Sequence, residues 1–338
     1  MLGKNCVFSN MIRWHLILPM AALLPAGLVG AVTCTTQSQM TDAQRSTYSQ
    51  AVRDIASQVQ AGNVAGVKAN TLASVAAQFD SIAGTIQSIS PDLQGAALSI
   101  QTIYSLHATD LKAPSDTQFF CSVPGSQLLV TLSIPQLPPG DYAFAVVHAS
   151  GVAKPQHLSM ILANDPAGGT QWKLAGFFVR PQTAAGHDGV WYWTQAREYA
   201  QKKQNWNAYF YYQTAQYLLM PVDFISSPNL DKLEKEMNEV RPSGLPGNEP
   251  MTLVAGSQTF QITDLRTDGS LGGLDLVIHY KASDISDPVV TRSHNLEVMK
   301  ALLSQHPELR SGFHGLWVYA DAANQRPFAI ELPMSQIQ

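Results

Sequence analysis

Apolar residues recur over residues 42–60 at the spacing of one helical face: Tyr48, Val52, Ile55 and Val59, with Gly62 as a stop just beyond. Residues 64–68 read as a short turn. Leu72, Val75, Phe79, Ile82 and Ile86 then predict a second helix, ended by Ser90-Pro91. After that the period drops to two. Leu98, Ile100, Tyr104 and Leu106 fall at even spacing, as on one face of a strand. Further strand-like runs cover 118–121, 127–134, 142–149, 157–163 and 172–179. Turn signals separate them at Pro124-Gly125, Pro138-Pro139-Gly140 and residues 165–169. Helices followed by an antiparallel meander is an α+β plan, with N-terminal helices covering one face of the sheet.

Helical spacing returns in the second half. Two helices are expected over 190–220, crowded with aromatic side chains, and a third begins at Ser227-Pro228 with Leu230, Leu233, Met237 and Val240 as its apolar stripe. Residues 242–250 hold three prolines and two glycines and read as a linker. Beyond it come strands at 252–254, 259–262 and 274–280, a helix at 295–305 with Leu296, Met299 and Leu303 on one face, and strands at 315–320 and 328–332. The expected organisation is therefore an export signal over 1–34, an α+β region over 42–181, a helical segment over 187–241 and a small C-terminal α+β unit over 250–338.

Two resemblances refine this plan. Ala61-Gly62-Asn63 at a helix end, and the strand Trp172-Lys173-Leu174-Ala175-Gly176-Phe177, resemble points in the NTF2-like, cystatin-like exported domains. That resemblance implies helices on a cone-shaped sheet. Against it, the segment from Leu137 to Tyr142 looks like a β-sandwich turn, so helices beside an independent sandwich is the rival architecture. In the helical segment, Ala196, Tyr199, Ala208, Tyr212 and Ala215 stand where a tetratricopeptide repeat has its small and aromatic residues. Lys203 stands where that family usually has glycine. Small residues let two antiparallel helices approach closely. Only one such repeat is found, and a solenoid needs about three, so the hairpin is expected to pack on the rest of the chain.

The leader changes the picture most. Lys4 and Arg13 precede an apolar run from Leu16 to Val32, interrupted by Pro19, Pro25, Gly27 and Gly30. This resembles a bacterial export signal more than a spanning helix, which needs roughly 20 unbroken apolar residues. Cleavage after Ala31 is one outcome. The other is suggested by Ala31-Val32-Thr33-Cys34, which resembles a lipobox with Thr33 in place of the usual small residue. Under that reading Cys34 is lipidated and the protein is a membrane-tethered lipoprotein; otherwise it is periplasmic. Without the leader, 19 basic face 25 acidic side chains, a net charge near −6, which argues against nucleic acid as a partner. Beyond Cys34 only Cys121 remains, in an apolar context that reads as a buried small hydrophobe. A Cys34–Cys121 disulfide is an open alternative.

No sequence motif for a nucleophile elbow, a zinc protease, a phosphate-binding loop or a dinucleotide fold is present, and no cofactor or metal is expected. The binding candidates are His187 and Asp188, adjacent in a loop, and the aromatics Trp191, Trp193, Trp206 and Tyr209, as a surface on which a peptide or glycan could stack. Each has a structural alternative: Asp188 as a helix cap, the aromatics as core. His148, His157, His279 and His314 flank strands without a partner evident in sequence. The expectation is an exported cell-envelope protein with a non-enzymatic binding or scaffolding role. The alternative is a hydrolase or isomerase using a pocket in the first α+β region.

Overall fold

The computed structural model describes residues 32–122, 125–126, 128–165 and 171–338; the expected signal over 1–31 lies outside them. Its first unit has three layers. Strand β1 (Thr33–Thr36) leads into α1 (Asp42–Gln60), α2 (Val64–Ala69), α3 (Ala73–Ala76) and α4 (Asp80–Ile89), then β2 (Ala97–His107), β3 (Ser115–Ser122), β4 (Leu129–Leu137), β5 (Asp141–Ser150), β6 (Gln156–Asn164) and β7 (Trp172–Pro181). The five-stranded sheet β1-β2-β5-β6-β7 is antiparallel throughout. One face packs on the helices through Val52, Ile55, Val59, Ile86, Ile103, Ala145, Val147 and Met160. The other packs on β3 and β4, with Tyr104, Phe144, Val146 and Ile161 against Phe119, Leu132 and Ile134.

Local chemistry accounts for these elements. Thr41 and Gln44 form a reciprocal capping box that starts α1. Gly62, at φ +66°, turns the chain toward α2, which replaces the expected turn with a helix. The expected second helix is split in two. Thr71 bridges to Leu174, and the Leu72 amide donates to the Leu174 carbonyl, so the sheet holds the backbone where the helix would begin. A second correction concerns β2. Its pairing with β5 shifts at Gln101, between Ile100 and Thr102. That bulge exchanges the faces, so Leu98 and Ile100 lie toward the helices while Tyr104 and Leu106 lie toward the second sheet. The four residues do not share one side.

In the second unit, a two-stranded ribbon, β8 (Thr183–Ala184) and β9 (His187–Asp188), leads into the hairpin α5 (Gly189–Gln201) and α6 (Asn205–Leu219). A short strand β10 (Ile225–Ser226) then crosses back to pair with β4, giving the sheet β10-β4-β3. After α7 (Pro228–Glu239) come β11 (Met251–Ala255), β12 (Gln258–Asp268), β13 (Asp275–Lys281), α8 (Pro288–Gln305), α9 (Leu309–Gly312), β14 (Gly315–Asp321) and β15 (Phe328–Pro333). These strands form a sheet in sequence order. All its pairs are antiparallel except β13–β14, whose parallel pairing is made possible by the α8 crossover.

Ala196, Ala208 and Ala215 are fully buried between α5 and α6, as small residues at a close helix contact should be. The hairpin and the C-terminal sheet share one continuous core, from Tyr192, Phe210 and Tyr212 to Phe260, Tyr280, Met299 and Val318. The linker over 242–250 therefore separates elements of one core. Two buried asparagines hold it in register. Asn295 accepts from the Tyr280 hydroxyl and donates to the Val318 carbonyl, and Asn207 donates to the Glu308 carbonyl.

Candidate functional site

The expected binding residues are mostly drawn into structure. The Asp188 side chain accepts the Trp191 amide at 2.8 Å and caps α5. The His187 ring stacks on Trp191, centroids 3.7 Å apart. Trp193 donates through its indole to Glu236 on α7, and Arg197 grips the same carboxylate with two hydrogen bonds. Trp206 and Tyr209 are buried, Trp206 stacked on His306 and the Tyr209 hydroxyl receiving Gln213 and Arg241. Burial hides the rings that a stacking surface would have to display, which corrects that expectation for these two. The physical reason is the shared core: the hairpin has a sheet to lie against.

Cys34 is likewise committed elsewhere. Its sulfur is bonded to Cys121, with Cα atoms 5.1 Å apart. The bond joins β1 on one sheet to β3 on the other. A thioether-linked lipid would need the same sulfur, so lipidation and this disulfide exclude each other, and the structure takes the disulfide. Among the described residues no helix is long and apolar enough to cross a membrane.

Three further polar constellations stand out. His148 and His157 pair across β5 and β6 with rings 4.5 Å apart. His157 Nε2 donates to the Leu218 carbonyl at the end of α6, leaving Nδ1 buried without a partner. Burial, then the neighbouring His148, lowers the His157 pKa to about 4. His148 has another histidine as its neighbour, whereas a general base needs an orienting acid. This pair is a neutral seam where the hairpin docks on the first unit.

The second constellation is Thr109, His107 and Asp141. His107 Nδ1 lies 2.6 Å from Asp141 Oδ1, and its Nε2 lies 2.7 Å from Thr109 Oγ1. With Nδ1–H donating to the carboxylate, Nε2 is left to accept the hydroxyl proton, which is the order hydroxyl, base, orienter. Register places it, since His107 and Asp141 face each other across β2 and β5. Both side chains are nearly half exposed, at 46% and 44%. The surface cleft lined by Ser46, Gln50, Asp54, Asn70, Trp172 and Lys173 lies against α1 and β7, apart from this group.

The third is at one end of the C-terminal sheet. Asp275, His314 and Glu331 bring one ligand atom each to within 4.8 Å of one another. Asp275 is 1% exposed, and its Oδ1 lies 3.0 Å from His314 Nδ1. Asp275 Oδ2 and Glu331 Oε1 are buried without hydrogen-bond partners. Burial raises the Asp275 pKa, against the opposing pull of His314 and with a further push from Asp268. Sequence reasoning expected no metal and singled out only His314 here. The three positions are 17 to 56 residues apart, and only the pairing of β13, β14 and β15 brings them together.

The outer face of the same sheet carries His279 stacked on Tyr319 at 4.5 Å, with Trp317 beside Tyr319 at 5.3 Å. His279 Nδ1 meets Asp321 at 2.9 Å. This face, opposite the shared core, holds half-buried aromatics that sequence spacing did not single out. Comparison with known proteins finds no matching family model, no matching curated protein and no matching solved structure.

Proposed function

We propose that this chain is an exported cell-envelope protein with a binding or scaffolding role. The observation that carries the reading is the Cys34–Cys121 disulfide, which ties the strand just after the apolar leader to the second sheet. Such bonds persist in oxidising compartments. Packing favours binding over catalysis in a cone. The face of the five-stranded sheet that a cone would open to substrate is filled by Phe144, Val146 and Ile161 against Phe119, Leu132 and Ile134. A protein partner or a glycan would find aromatic rings on the C-terminal sheet, at Trp317 and Tyr319, in place of the buried Trp206 and Tyr209. The test is expression with the leader, cell fractionation and peptide mapping without reduction. An extracytoplasmic protein with linked Cys34 and Cys121 peptides is expected. A cytoplasmic protein with two free thiols would overturn the reading, whereas a diacylated Cys34 would remove the disulfide and leave the protein exported.

A second reading, hydrolysis in the first unit, is favoured by the Thr109–His107–Asp141 array. It predicts ester hydrolysis that disappears in both Thr109→Ala and Asp141→Asn. Equal rates in the wild type and both variants would remove it.

A further inference from the structure

We propose that Asp275, His314 and Glu331 bind one zinc ion. The topology brings them together. Asp275 opens β13, His314 immediately precedes β14 in the adjacent parallel strand, and Glu331 lies near the end of the antiparallel β15. All three therefore sit at one end of the sheet. The His314 backbone is held on both sides, its amide donating to the Leu274 carbonyl and its carbonyl accepting from Met334.

The chemistry asks for a cation. Asp275 is buried, yet its Oδ2 has no donor, and Glu331 Oε1 is in the same condition. An orphaned buried acceptor is costly to keep if nothing fills the gap. Among the described residues no lysine or arginine forms an ion pair with either carboxylate, while Asp268, opposite Asp275 across the strand pair, adds negative charge. Gly315 leaves room for the two carboxylates to approach each other. A Cβ at Gly315 would lie 3.0 Å from Asp275 Oδ1 and 3.0 Å from Glu331 Oε1. One imidazole nitrogen and two carboxylate oxygens suit zinc, with bonds of about 2.0–2.2 Å and ligand atoms about 3.4 Å apart in a tetrahedral arrangement. The 3.0 Å between His314 Nδ1 and Asp275 Oδ1 is close to that edge. His314 is exposed, so the fourth position is open to water. Bound there, zinc would tie together the ends of three strands. A proton shared between the two carboxylates is the rival occupant, and it predicts no dependence on metal.

The experiment uses the full mature chain, stripped with a chelator and titrated with zinc against a chromophoric competitor, with thermal melting in parallel. One saturable equivalent and a raised Tm are expected. Glu331→Gln and His314→Gln, at a half-buried and an exposed position and close in size to the originals, should each weaken zinc by roughly ten-fold or more. No saturable zinc on the wild type would overturn the proposal. So would undiminished zinc binding by either variant.

Discussion

At the residue scale, His157 shows what burial does to a side chain that reads as unremarkable in sequence. Its Nε2–H is used and its Nδ1 has no acceptor nearby, so protonation would place an unmatched charge in the seam. The folded pKa is depressed from 6.5 to about 4, while the unfolded chain keeps the ordinary value. On acidification the unfolded state takes up the proton first. Stability is therefore full above about pH 6.5 and falls as the pH drops toward 4, by up to about 3 kcal/mol. His148, lowered by its own burial, pulls in the same direction. Urea denaturation at pH 5 and pH 7.5 should show this loss, and His157→Gln should shrink it. Glu236 is the opposite case, a carboxylate lowered chiefly by its hydrogen bond from Arg197 and further by Trp193 and Tyr212. Glu236→Ala strands those donors and should cost about 1–2 kcal/mol, part of the ion pair being solvent-screened. Tryptophan fluorescence during urea unfolding would measure it.

At the element scale, periodicity was most legible where caps and turn residues bound it. The bounds of α1, expected over 42–60, are those observed, because its apolar stripe and capping box agree. The expected strands at 142–149, 157–163 and 172–179 each sit inside the observed ones. The β2 bulge was not read: Leu98, Ile100, Tyr104 and Leu106 keep even spacing across the polar Thr102, and with both faces of this sheet apolar the shift to Ile103 on the helix side does not stand out. The hairpin turn was legible only as an anomaly. Lys203 adopts φ +58°, the left-handed conformation that glycine takes at little cost. Lys203→Gly should therefore raise stability by about 1 kcal/mol, seen as a higher urea midpoint with an unchanged slope. An unchanged or lower midpoint would show that the backbone at this turn is not under that strain.

At the scale of the whole molecule, two devices hold the parts together. The segment after α6 docks on the first unit: Asp223 pairs with Arg180, Phe224 packs edge-on to Phe144 and Phe178, and β10 extends the small sheet. The Cys34–Cys121 bond closes a loop spanning 87 residues. By the entropy of closing a loop that long, replacing both cysteines with alanine should cost about 4–5 kcal/mol, less any strain or residual denatured structure. Thermal melting of the double variant beside the wild type, each with and without reductant, tests this. Reductant should lower the Tm of the wild type alone.

The amino-acid sequence by itself determined the α+β class and most element positions. These follow from short-range rules: side-chain period, caps and turn residues act within a few positions of one another. Tertiary structure alone decided which cysteine use prevails, which aromatics are hidden and which polar groups meet. The Asp275, His314 and Glu331 cluster depends on strand order and register, and no local pattern encodes which strands become neighbours. Pairing residues far apart in the chain is a property of the packed whole, where burial and long-range contacts outweigh local preference.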